Sequence, residues 1–91
     1  MAYELVFPES YNRRAAKFLK RHPESRHQYR KTLELLSLNP QHPSLRLHAM
    51  KGRLEGLHSV SINLSYRITI ELLIRNKEII LINVGGHETV Y

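Results

Sequence analysis

Between residues 66 and 74 an apolar side chain falls on every second position, at Tyr66, Ile68, Ile70, Leu72 and Ile74. Arg67, Thr69, Glu71, Leu73 and Arg75 point the other way. A period of two is the mark of a strand with one buried face. Residues 57–63 and 79–84 read as strands beside it, and Arg75-Asn76-Lys77-Glu78 reads as the hairpin turn between the last two. Residues 2–7 alternate loosely, with Tyr3, Leu5 and Phe7 on one side, and stop at Pro8. The period then becomes helical. Ser10 has the side chain of a helix cap, ahead of a stripe at Tyr11, Ala15, Phe18 and Leu19. His22-Pro23 ends that helix, because the residue before a proline is driven out of the α region. A second helix starts near Pro23-Glu24, carries Tyr29, Leu33 and Leu36 inward, and closes at Asn39-Pro40. Leu45-Arg46-Leu47-His48 alternates as a short strand or an extended approach to one would, and Gly52 and Gly56 bracket a turn. The order β-α-α-β-β-β predicts an α+β domain over residues 1–91. Its sheet is antiparallel-rich and twisted, with a two-helix layer on one face.

Composition narrows the chemistry. The 91 residues include no Cys and no Asp, so thiol nucleophiles, zinc knuckles and Asp-based metal cages are excluded. Neither a cofactor nor a metal is expected. No apolar run approaches the ~18 residues of a membrane span, and the first residues do not read as a signal peptide, so a cytoplasmic protein is expected. The net charge of +6 is lopsided. Residues 1–53 hold eleven Lys and Arg against four Glu, a net of +7, whereas residues 54–91 sum to −1. Such a footprint suits a polyanion or an acidic protein. A solvated helical surface is the plainer alternative.

Few residues could carry a reaction. Arg67 sits mid-strand on the face away from the apolar row, where an ordinary exposed strand arginine would also sit. His87 follows Gly85-Gly86, a pair that lets a backbone turn sharply, and an imidazole titrating near 6.5 can move a proton at neutral pH. Tyr91 offers a phenol for stacking or hydrogen bonding, and His48 lies four residues before Gly52. There is no phosphate-binding glycine loop, zinc-protease motif or serine elbow. RNA cleavage by its own 2′-hydroxyl fits this set. It needs a proton acceptor, a cation on the phosphorane and an acid for the leaving oxygen, but no metal.

Three stretches taken together are more specific: Met50-Lys51-Gly52, Leu64-Ser65-Tyr66-Arg67-Ile68, and Ile82-Asn83-Val84-Gly85-Gly86-His87-Glu88-Thr89-Val90-Tyr91. In this order and at this length the chain resembles the RelE/ParE superfamily, the toxins of bacterial type II toxin–antitoxin modules. His48 and His87 are most similar to its His-bearing, YafQ-type branch. The resemblance implies a ribosome-dependent messenger-RNA endonuclease with His48, Arg67, His87 and Tyr91 as catalytic residues. Arg13, Lys17, Lys20, Arg21, Arg30, Lys31, Lys51 and Arg53 would meet ribosomal RNA, and a cognate antitoxin would be the protein partner. A gyrase inhibitor without catalysis is the alternative on the same fold. The chain departs from the pattern at Ser59, Ser61 and Ser65, where relatives carry lysines or acidic and histidine side chains, so the general base stays unassigned.

Overall fold

The computed structural model describes residues 2–86. The elements run β1 (Glu4–Val6), α1 (Glu9–Arg21), α2 (Arg26–Leu38), β2 (His48–Ala49), β3 (His58–Ser61), β4 (Tyr66–Leu73) and β5 (Glu78–Gly86). Short 3-10 turns intervene at Pro23–Ser25, Pro43–Leu45 and Gly52–Leu54. One five-stranded sheet forms in the order β1-β5-β4-β3-β2. All neighbours are antiparallel except β1, which lies parallel to β5 with Leu5 opposite Ile79. The α+β order expected from the periodicity holds, with β2 and the parallel β1 contact added.

The core fills the space between helices and sheet. Tyr11 and Phe18 enter from α1, Tyr29 and Leu36 from α2, and Val60, Ile68, Ile70, Ile79, Leu81 and Val84 from the strands. Register makes the sheet's contribution continuous, because directly opposed residues share a face. Val60, Ile68 and Val84 form one such row. The pairing slips once. Thr69 faces Asn83 and Ile70 faces Leu81, which leaves Ile82 with no opposite residue. A bulge of this kind reverses the alternation. Strict alternation from Ile79 and Leu81 would put Asn83 in the core; the extra residue puts Val84 there instead. The Arg14 guanidinium on α1 donates to the carbonyl of the bulged Ile82 at 3.2 Å.

Several boundaries differ from the sequence expectation. Helix α1 begins at Glu9 behind Pro8 with no side-chain cap, so Ser10 lies within its first turn. The hairpin starts one residue early: β4 stops at Leu73, Ile74 is 61% exposed, and Lys77 takes the left-handed conformation with φ 56°. Strand β3 ends at Ser61 because the Asn63 side chain accepts the N–H groups of Ser65 and Tyr66 at 2.8 and 2.9 Å, which bends the chain. Gly85 and Gly86 do not form the expected turn. They are the last residues of β5, opposite Arg67 and Tyr66.

The helices meet through a buried hydroxyl pair, Tyr11 to Tyr29 at 2.7 Å. Burial pushes both phenols above the ordinary value of 10.0, and for Tyr11 the neighbouring Tyr29 pushes further. Tyr11→Phe or Tyr29→Phe alone strands one buried hydroxyl and should cost about 1–3 kcal/mol in urea unfolding, while the double variant should recover part of that loss. The raised phenols stabilise the fold fully below the unfolded value. Wild-type stability should therefore fall as pH rises above about 10, and fall less steeply in the double variant.

Candidate functional site

The sheet face turned away from the helices carries the polar half of β4. Alternation from the core residues Val60, Ile68 and Val84 places Ser61, Arg67 and Gly85 in one cross-strand row on that face. The next row is His48, Ser59, Thr69 and Asn83. Arg67 and His48 thus share a face, with Cα atoms about 12 Å apart on ordinary strand spacing. Arg67 is half-buried, and among the described residues no carboxylate lies within ion-pair distance of it. Its guanidinium can therefore meet a phosphate. His48 is exposed, and its ring Nδ1 lies 3.2 Å from the Arg46 carbonyl. A carbonyl only accepts, so Nδ1 is the donor in this contact. Between these residues, the Ser59 and Thr69 hydroxyls are directly opposed and buried, with no hydrogen-bond partner among the described residues.

A second feature lies on the outer edge of β5. A groove of about 770 Å³ runs between α1 and β5, lined by Lys17, Lys20 and Arg21 on one side and residues 83–86 on the other. Phe18 and His22 also line it. The His22 ring packs on Tyr66 with centroids 4.6 Å apart, and its Nδ1 is 2.9 Å from the Tyr66 hydroxyl. Groove and open face share β5 as their common wall.

No protein-family model matches the chain, and no curated protein matches it by sequence. Solved structures do match. YafQ from E. coli superposes with a TM-score of 0.81 at 13% identity over 98% of both chains. The E. coli DinJ-YafQ toxin-antitoxin complex gives 0.79 at 15% identity, over 100% of this chain and 99% of that one. A metal-bound toxin from Helicobacter pylori gives 0.73 at 14% identity over the whole of both. The chain has the RelE/YafQ-like toxin fold. Identities this low carry the fold alone.

On this RelE/YafQ-like frame the sequence-derived residues separate. Arg67 and His48 share the face turned away from the helices, while His87 and Tyr91 lie outside the described residues. Lys17, Lys20 and Arg21 gather in the groove; Arg13, also on α1, pairs with Glu9 at 3.6 Å. Arg30 and Lys31 lie on α2, and Lys51 and Arg53 follow β2 at the opposite edge of the sheet. The cations therefore do not form one patch. His22 and Arg14 were missed as groove residues: a histidine before a proline reads as a solvated helix end, and no local pattern joins Arg14 to Ile82. Among the described residues no three His, Cys, Asp or Glu side chains gather as metal ligands do, and no helix is long and apolar enough to cross a membrane. The opposed hydroxyls under the open face give a direct test. Thr69→Val removes an unsatisfied buried hydroxyl at nearly constant volume, so thermal unfolding should show unchanged or slightly higher stability; a loss above about 1 kcal/mol would mean that the hydroxyl has a partner.

Proposed function

We propose that this chain is the toxin of a type II toxin–antitoxin pair, a cytoplasmic ribonuclease that cuts messages on the ribosome and so stops translation. The observation that carries the reading is Arg67, held mid-sheet with no carboxylate partner among the described residues, on the face it shares with His48. The end-to-end match to toxin structures supports it. In the proposed reaction the 2′-oxygen of a message nucleotide attacks the adjacent phosphorus while a histidine takes its proton. Arg67 neutralises the pentacoordinate phosphorane through paired N–H donors. The bond to the 5′-oxygen then breaks, and a proton returns to that oxygen from an acid. His87 is assigned proton transfer, Tyr91 stacking or proton donation, and His48 the place of the unassigned base. The nucleophile belongs to the substrate, so the reaction needs no metal-bound hydroxide. Cations of α1, α2 and the turn after β2 would hold ribosomal RNA, and a cognate antitoxin would silence the chain.

Expression should arrest growth, with messages cut and protein synthesis lost. Arg67→Ala and His87→Ala should each lower the cleavage rate about 10²–10⁴-fold while the far-ultraviolet circular dichroism spectrum stays native. Arrest with intact messages and double-strand DNA breaks would instead assign the chain to gyrase inhibition.

A further inference from the structure

Residues 62–65 carry the chain from β3 into β4, and Asn63 ties this connection together. Its side-chain oxygen accepts the N–H groups of Ser65 and Tyr66 at 2.8 and 2.9 Å. Its main-chain N–H donates to the Tyr66 carbonyl at 3.3 Å, and its own carbonyl accepts the Ser61 hydroxyl at 2.8 Å. Two N–H donors fix which end of the carboxamide is oxygen. The nitrogen is left for α2, where it donates to the Gln28 side-chain oxygen at 2.8 Å. The neighbouring Leu64 is 90% exposed, so polar contacts rather than apolar packing hold the tip of this turn. Ser61 and Arg67 are the last opposed pair of the β3–β4 ladder, on the face turned away from the helices. On its other side Arg67 faces Gly85, which offers no side chain to lean on. Strand ends fray unless something beyond them closes the ladder. Phe18 and His22 hold the Tyr66 ring on the helix side, but the main chain leading into Arg67 is closed by Asn63.

We propose that Asn63 is a positioning residue that acts through Arg67, fixing the direction in which the guanidinium leaves the sheet. What Arg67 meets there, a phosphorane, rests on the ribonuclease reading; the positioning itself does not. Removing the Asn63 side chain leaves the Ser65 and Tyr66 N–H groups to water, and the ladder opens at its Ser61–Arg67 end. The guanidinium then samples several directions, and its paired N–H donors no longer meet two phosphoryl oxygens at once. The core stays closed, because Ile68 and Ile70, next along β4, are fully buried under the helices. Gln28 is the lesser contributor. Its bond anchors the turn to α2, but its loss leaves both N–H contacts of the Asn63 oxygen in place.

The test joins a double-mutant cycle, read as cleavage of a ribosome-bound message, to nuclear magnetic resonance of the Arg67 Nε–H group in the full chain. Asn63→Ala should slow cleavage at saturating ribosomes about 10–100-fold and leave the half-saturating concentration unchanged. In an Arg67→Ala background the same change should cost less than about twofold, because residues that act as one unit are not additive. The heteronuclear Overhauser effect of the Arg67 Nε–H should fall, while those of the Ile68 and Ile70 amides keep their wild-type values. Asn63→Ser, whose hydroxyl accepts one of the two N–H groups, should restore part of the rate. It also carries the cycle if Asn63→Ala does not fold. Gln28→Ala should show the smaller loss. Equal losses in both backgrounds, an unchanged Arg67 signal, or a wild-type rate in Asn63→Ala would overturn the proposal. A wild-type chain that cuts no message refutes the ribonuclease reading instead, and the Arg67 signal then decides the positioning by itself.

Discussion

The ladder between β4 and β5 is the constraint on which the rest of the molecule depends. It brings Ile68, Ile70, Ile79 and Leu81 to zero exposure on the helix side, each contributing on the order of 2–3 kcal/mol of burial. The same pairing sends Arg67 and Thr69 to the opposite face beside Gly85 and Asn83. Without the bulge at Ile82 the two faces could not both be satisfied, because Asn83 would enter the core and Val84 would leave it. One irregular residue thus reconciles the packing of the helix layer with a polar opposite face.

Helix α1 connects these roles. Tyr11, Ala15 and Phe18 face the core, while Lys17, Lys20 and Arg21 look over the edge of β5. At its end Phe18, His22 and Tyr66 pack together, with Phe18 edge-on to Tyr66 at 5.0 Å. Tyr66 begins β4, adjoins Arg67 and opposes Gly86, so this aromatic contact fixes the end of the strand that carries the open-face arginine. The α1 cations Lys17, Lys20 and Arg21 and the groove thus lie along the last described residues of β5.

Much of this was legible in the residue pattern. The two-residue period of β4 identified the central strand and placed Arg67 away from the core, and the stripes of α1 and α2 named Tyr11, Phe18, Tyr29 and Leu36 correctly. Other features left no local trace. Residues 79–82 are Ile, Ile, Leu and Ile, a uniformly apolar run in which an alternation, and hence a bulge, is invisible. The parallel contact of β1 with β5 joins segments more than seventy residues apart, and only the assembled sheet determines it. Gly85-Gly86 reads as a turn because glycine permits one; pairing with Tyr66 and Arg67 holds it extended. Of the site, the face of Arg67 and His48 could be read, but the meeting of α1 with the edge of β5 could not.

The central claim is that the open face of the β4–β5 ladder supports attack by a message's own 2′-hydroxyl. The most direct measurement is the chemistry of the ends left on messages cut during translation. The account predicts a 2′,3′-cyclic phosphate upstream and a 5′-hydroxyl downstream of each cut. Ends bearing a 3′-hydroxyl and a 5′-phosphate would contradict it, because they require an external nucleophile to attack the phosphorus while the 3′-oxygen leaves.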